Sequence, residues 1–227
     1  MSLGDETAAP GIVPQRQLLA RLDDAELRRF VRLHYLPLVR MVYRKRLQTS
    51  RGLMRGVTPF RRALEVGFGP GFLLPALAHY AQKVVAVDIH HESGRVAAML
   101  DRQRVTGVLL MRNSITALAF RDASFDFVIS TSVLEHIHAL DAAVRELSRV
   151  VRPGGSLVLG FPMKNRLTDT LFKMVGFAVD EHHPNSHADI IAALGRTFRI
   201  RHQSHLPNWL PLDFALYGWV LCEKPKQ

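Results

Sequence analysis

The chain has 227 residues, 48% of them hydrophobic and 22% charged, the ordinary balance of a globular protein able to bury one sizeable core. No apolar run reaches the roughly 18 residues of a membrane-spanning helix, and the start from Met1 to Gly11 lacks the basic and apolar regions of a secretory signal. The formal charge is +10, and Glu26 to Arg62 alone holds eleven Lys or Arg against one acid, so this segment carries the whole excess.

In chain order, residues 1–14 read as a lead-in without regular structure and 15–58 as a basic helical cap, with helical stretches at 15–34 and 36–47 separated by Pro37. Its arginines interleave with Phe30, Val31, Leu33, Tyr35, Leu36, Leu38, Val39, Met41, Val42 and Leu47. A segment of this kind can close over a site, rest on an anionic membrane surface, meet phosphate or nucleic acid, or simply present a solvated face.

From Arg62 onward, β-branched runs alternate with helical stretches, the signature of βαβ units and a parallel sheet. Strands are expected at 62–66, 83–88, 107–111, 125–130 and 156–161, with helices at 72–81, 92–104 and 139–151 between them. Pro75 falls in a first helical turn, where the missing N–H costs little. Asp141 opens the third helix, Arg149 and Arg152 sit near its negative end, and Pro153-Gly154-Gly155 is expected to stop it and turn the chain into the next strand. Helical stretches at 165–175 and 188–196 flank a His/Pro/Asn-rich loop at 180–187. Two closely joined β-like runs follow at 197–204 and 214–222, close enough to pair antiparallel. The single cysteine, Cys222, lies in the second run and reads as a core residue. One cysteine excludes an intrachain disulfide and any paired-cysteine metal site, and it suits a reducing cytoplasm.

The chemistry is concentrated after the first strand, in Ala63-Leu64-Glu65-Val66-Gly67-Phe68-Gly69-Pro70-Gly71-Phe72. A strand there ends in a glycine turn that opens a helix, where backbone N–H groups are free to meet a ligand. The spacing is G-x-G-x-G, whereas a dinucleotide site uses G-x-G-x-x-G. Asp88 ends the second strand 21 residues after Gly67, and an ionised carboxylate there can accept both hydroxyls of a ribose. The alternative is that Asp88 caps a helix starting near His91.

Asn113-Ser114-Ile115-Thr116-Ala117-Leu118-Ala119-Phe120, then Ser124-Phe125-Asp126 with an apolar strand ending at Ser130, then Ser132-Val133-Leu134-Glu135-His136-Ile137 and Arg149-Val150-Val151-Arg152-Pro153-Gly154-Gly155 follow in order. Taken together, residues 60–162 resemble the class I S-adenosylmethionine-dependent methyltransferases, of the methyltransferase type 11 kind. The resemblance implies an α/β Rossmann-like fold over 59–227, with a seven-stranded, mostly parallel sheet, the last strand antiparallel and helices on both faces. It implies S-adenosylmethionine as cofactor, held by Glu65, Gly67, Gly69, Gly71, Asp88, Ser130 and either Asn113 or Ser114. Two departures stand out: Ser114 or Asn113 replaces the acid that usually faces the adenine amine, and Ala119 replaces the usual proline.

Methyl transfer needs a general base only for a hydroxyl or protonated amine acceptor. His136, after the fourth strand, and His183 in the 182–187 cluster are the candidates. His136 could instead pack against the cofactor or a turn, and the cluster could cap the next helix through Asn185 or Ser186. His183 with His187 lacks the further ligands of a metal site. The acceptor is expected to be a small molecule or a lipid-linked, amphipathic one, because 160–169 and the cap are apolar with scattered cations. An RNA acceptor, a non-catalytic cofactor-binding module and, further off, a nicotinamide dehydrogenase are the rivals.

Overall fold

The computed structural model describes residues 37–165 and 184–226. The expected lead-in at 1–14, the helix at 15–34, nearly all of the helix at 165–175, and His183 lie outside those residues. Within them the order is α1 (Pro37–Arg55), β1 (Phe60–Val66), α2 (Leu74–Tyr80), β2 (Ala81–Asp88), α3 (Ser93–Arg102), β3 (Val108–Arg112), β4 (Phe125–Thr131), a 3-10 turn (Leu134–His136), α4 (Leu140–Val150), β5 (Val151–Pro162), α5 (His187–Gly195), β6 (Arg199–Leu206), a second 3-10 turn (Leu212–Phe214) and β7 (Tyr217–Glu223).

The seven strands form one sheet in the order β3-β2-β1-β4-β5-β7-β6. β7 runs antiparallel to β5 and β6, and every other pairing is parallel. The central strands are apolar almost end to end, as strands covered on both faces must be; in β4, Phe125, Phe127, Val128, Ile129 and Ser130 are all buried. Helices α1, α2 and α3 cover one face around Met54, Leu74, Leu77, Val96 and Phe127. Helices α4 and α5 cover the other, where Ala143, Val144, Leu147 and Val150 make the buried stripe of α4. Cys222 is buried, as its setting implied.

Asp126 locks the register of β1 against β4. Its Oδ2 accepts the N–H groups of Arg61 (3.0 Å) and Arg62 (2.8 Å), and its Oδ1 accepts from Arg152 Nε (2.6 Å). Two expectations are corrected. The helix expected to end at 47 continues to Arg55, because its inward stripe continues through Ser50 and Met54, which carries the helix past Gly52 to Gly56. Pro153-Gly154-Gly155 does not stop α4, which has already ended at Val150; the three residues lie inside β5. Gly154 there has φ +71°, and the pairing with β4 shifts register between Phe125 and Phe127, so the motif kinks the strand.

Candidate functional site

The parallel strands all end on one edge, and the glycine turn leaves β1 there, beside the tip of β2. Gly67, Gly69 and Gly71 all have positive φ (81°, 49° and 76°). Gly67 also needs space, since a Cβ on it would stand 2.1 Å from Val133 Cγ2. The chain leaving β4 can therefore press directly against the turn. Gly71 does the same on the other side, where a Cβ would come 2.6 Å from Val96 Cγ1 on α3. Gly71 is buried, so its part in the site is to shape the turn and let α3 close on it.

Asp88 faces this turn. Its Oδ2 accepts Gly69 N–H at 2.8 Å and its Oδ1 accepts Ile89 N–H at 2.7 Å. It does not cap α3, which starts at Ser93 behind Glu92 with no side-chain cap. A residue that the sequence reading passed over completes the clasp. His90 Nδ1 accepts Glu92 N–H (3.0 Å), which leaves the ring proton on Nε2 to donate to Gly69 O (3.0 Å). The ring also stands edge-on to Phe68, 4.8 Å between centroids. The turn is thus tied to the β2 tip through both its N–H and its C=O. A polar side chain two residues beyond the strand-ending acid was the available signal.

Glu65 and Ser130 lie beneath the same edge, 3% and 1% exposed. Glu65 Oε2 and Ser130 Oγ have no hydrogen-bond partner, an expensive condition for buried polar atoms. Burial holds the Glu65 carboxyl well above the ordinary carboxylate range, and the negative charge of Asp88 adds to it. Asn113 N–H donates to Asp88 O (2.9 Å), and Ser114 is exposed with its hydroxyl against Thr116 Oγ1 (2.9 Å). Both residues stand at the end of β3. The loop that follows is clamped from α4: Glu146 accepts Leu118 N–H (2.7 Å), while Arg149 donates to Leu118 O (2.8 Å), Phe120 O (2.6 Å) and Asp122 (2.9 Å). That clamp holds the backbone where Ala119 replaces a proline.

Further along the edge, His136 is exposed, with Nε2 3.9 Å from Glu135 Oε1. Glu135 is 2% exposed, and burial pushes its carboxyl up to about 7 against the pull of its own backbone N–H and Arg46. Of the two cap candidates, Ser186 caps α5 in a reciprocal box with Asp189. Asn185 instead donates to Leu134 O (2.9 Å) and Ile137 O (2.6 Å), pinning the 3-10 turn. Among the described residues, no three His, Cys, Asp or Glu side chains converge as a metal site would need.

A Rossmann-like sheet with β7 reversed, a G-x-G-x-G turn after β1 and an acid at the tip of β2 define the class I methyltransferase architecture. Residues 64–159 match the model of a methyltransferase domain family. A probable S-adenosylmethionine-dependent methyltransferase of Mycobacterium tuberculosis is 36% identical over 108 residues, 48% of this chain and 37% of that protein. A ubiquinone biosynthesis O-methyltransferase of Methylocella silvestris is 29% identical over 153 residues, 63% of this chain and 59% of that one. The chain thus spans less than two thirds of these curated relatives' length. Among solved structures, the N-methyltransferase NodS of Bradyrhizobium japonicum, in complex with S-adenosyl-l-homocysteine, shares the fold at a TM-score of 0.68 and 17% identity, over 93% of this chain and 96% of that one. Residues 64–159 thus match a methyltransferase domain, and the named relatives they resemble depend on S-adenosylmethionine as cofactor.

The site's residues fit that cofactor. The glycine turn offers backbone N–H groups and a surface without side chains, Asp88 offers acceptor oxygens, and Glu65 and Ser130 hold buried polar atoms without partners.

Proposed function

We propose that this protein transfers a methyl group from S-adenosylmethionine to a small-molecule or lipid-linked acceptor that enters over the carboxyl ends of β4 and β5 and the amino end of β7. The observation that carries this reading is the clasped glycine turn beside Asp88, with two orphaned polar atoms, Glu65 Oε2 and Ser130 Oγ, buried beneath it.

The cofactor supplies an already activated methyl group on a sulfonium centre. The protein's share is therefore to bind, orient and exclude water. Asp88 would take the ribose hydroxyls, the turn would hold the amino-acid portion, and Glu65 would face its cationic end. Asn113 or Ser114 would meet the adenine amine, an acceptor of hydrogen bonds in place of an acid. His136, exposed at the mouth, remains available as a base; His183 stays a candidate from the sequence alone.

An amphipathic acceptor is favoured by the surface around the mouth. Trp209, Leu212 and Phe214 are exposed on the β6–β7 connection, which leads directly into Tyr217. Met41 is exposed on α1 next to Arg40, Arg44 and Lys45. This mixture of apolar and basic groups suits peripheral contact with an anionic membrane. The names of the ubiquinone-pathway relatives favour an oxygen acceptor among the possibilities. The same cations leave RNA as the second reading.

Incubation with methyl-labelled S-adenosylmethionine and separate lipid, metabolite and RNA fractions tests this. Label is expected in an extractable lipid or metabolite. Label in RNA alone would replace the acceptor assignment. Absence of both cofactor binding and label would remove the reading altogether.

A further inference from the structure

One cluster at this edge is not absorbed by cofactor binding. Helix α1 turns Tyr43, Arg46, Leu47, Ser50 and Met54 toward the sheet, so the inward stripe mixes apolar residues with polar ones. Ser50 Oγ accepts from Trp219 Nε1 (3.2 Å), which fixes the helix against β7. Arg46 then projects over the ends of β4 and β7. Its Nη2 donates to Ser132 Oγ (2.5 Å) and Tyr217 Oη (3.0 Å). Its guanidinium carbon lies 3.9 Å from the ring centroid of Tyr217 and 4.4 Å from that of Tyr43. Tyr217 reaches this position across Gly160, where a Cβ would come 2.9 Å from the phenol oxygen.

The cluster leaves Arg46 without a bonded counter-ion. Arg46 is partly buried, and among the described residues no carboxylate lies in ion-pair contact with it. Its described partners are a neutral hydroxyl and two neutral phenols; burial pushes the Tyr217 phenol up to about 12, with Arg46 pulling the other way. Among the described residues, Glu135 is the acid that feels the Arg46 charge; its carboxyl is drawn on by its own backbone N–H and makes no hydrogen bond to Arg46. A guanidinium has five donors in a planar fork suited to oxygen anions, and Ser132 and Tyr217 occupy only part of it. Aromatic rings hold the fork in place without neutralising it.

We propose that Arg46 is the anchor for an anionic oxygen of the methyl acceptor, either the reacting oxygen itself as a phenolate or a carboxylate beside it, and that Glu135 takes up a proton when the anion binds. This rests on the reading of the β4–β5–β7 edge as the acceptor mouth. With a phenol, the O–H bond breaks, its proton passes to the Glu135 carboxylate, and the oxygen keeps the electron pair beside Arg46. With a carboxylate, the proton comes from solvent. In both cases the net charge of the cluster is unchanged, because the ligand replaces Glu135 as the negative partner. The groups that face Glu135 are Arg46 and Tyr43 from α1, Tyr217 from β7 and His136 on its own turn. β5 brings no charged side chain to this end, and α5 brings His187.

The test uses 4-nitrophenol, whose phenolate is visible, and benzoate, measured by calorimetry, each with and without saturating S-adenosylhomocysteine. Wild type is expected to bind nitrophenol in its phenolate form and to bind benzoate with proton uptake, more weakly as pH rises through about 7. Arg46→Met should weaken both by about tenfold or more, the loss of one charge-assisted hydrogen bond. Arg46→Lys, which keeps the charge, guards against a folding defect and should fall between. Glu135→Gln should keep anion binding and abolish the pH dependence and proton uptake of benzoate binding. A phenolate arm that responds while benzoate does not assigns Arg46 to the reacting oxygen, and the converse assigns it to a neighbouring carboxylate. The proposal is overturned if Arg46→Met binds both probes as wild type does, if Glu135→Gln leaves the pH dependence unchanged, or if neither probe binds a protein that binds S-adenosylhomocysteine. That last result would leave the methyltransferase reading standing, whereas probe binding without S-adenosylhomocysteine binding would do the reverse.

Discussion

Asp88 holds Gly69 N–H with one carboxylate oxygen, and in the proposed site its remaining lone pairs would meet the ribose. Replacing it with Ala removes both, so S-adenosylhomocysteine affinity should fall by about tenfold or more, as for loss of hydrogen bonds to a charged group. The thermal midpoint should also fall, because the Gly69 and Ile89 N–H groups lose their acceptor, so affinity is compared below the variant's own midpoint. Equal affinity in a folded variant, read by calorimetry, would remove the cofactor site from this turn. Gly67→Ala makes the opposite test. Its Cβ would meet Val133 Cγ2 at 2.1 Å from a backbone with φ +81°. Either the turn or the chain after β4 must shift, and a destabilisation of about 2–4 kcal/mol is expected in chemical unfolding. His90→Ala breaks the clasp to Gly69 O, together with the bond from Glu92 N–H and the ring contact with Phe68. It should weaken cofactor binding by a smaller factor than Asp88→Ala while leaving global unfolding nearly unchanged.

At the level of elements, the loop from Leu118 to Asp122 depends on α4 rather than on its own sequence. Arg149 and Glu146 make four bonds between them to Leu118, Phe120 and Asp122. Arg149→Ala should therefore cost about 1–3 kcal/mol and speed amide exchange locally at Leu118 and its neighbours, the β1–β4 core staying protected. Uniform exchange across the sheet would place the clamp elsewhere. Strands and helices from β1 to β5 were legible because buried parallel strands are continuous apolar runs and α4 carries its stripe at helical spacing. The reversed β7 was legible too, from the short connection between two apolar runs. Where α1 ends was not, since a helix that turns Arg46 and Ser50 inward blurs the apolar period. The turn, Asp88 and Ser130 could be read from their positions after strands. Arg46 could not, because it looks the same as the other cations of a basic segment until the stripe Tyr43, Arg46, Leu47, Ser50, Met54 is laid on a helix. Glu135 was visible within a motif, but its burial belongs to the packing of α1, β7 and the 3-10 turn together.

Across the whole molecule, two sets of carboxyls set opposing limits to stability. Burial holds Glu65 and Glu135 above their ordinary range. Folding therefore favours their neutral forms, a contribution present in full below their unfolded values and lost as pH rises through the folded ones, about 7 for Glu135. Asp126 and Glu146 behave in the reverse sense. For Asp126 burial acts upward but is outweighed by bonds from Arg62 N–H and Arg152, and for Glu146 the bonds from Arg149 dominate. Their contributions are present above the ordinary carboxylate range and are lost as pH falls. The ligand-free protein should thus be most stable on the acid side of neutrality, between these limits. Glu135→Gln keeps the shape and removes the titration, so it isolates one part of the alkaline limb. In wild type the unfolding free energy should decline from about pH 5 to about pH 8.5, and in the variant that decline should be smaller by about 2–3 kcal/mol. Saturating anionic acceptor should enlarge the same difference, since it holds Glu135 protonated to higher pH in the folded state. A decline of equal size in wild type and variant would mean that Glu135 is ionised at neutral pH, already paired with Arg46, and that the mouth carries no spare positive charge.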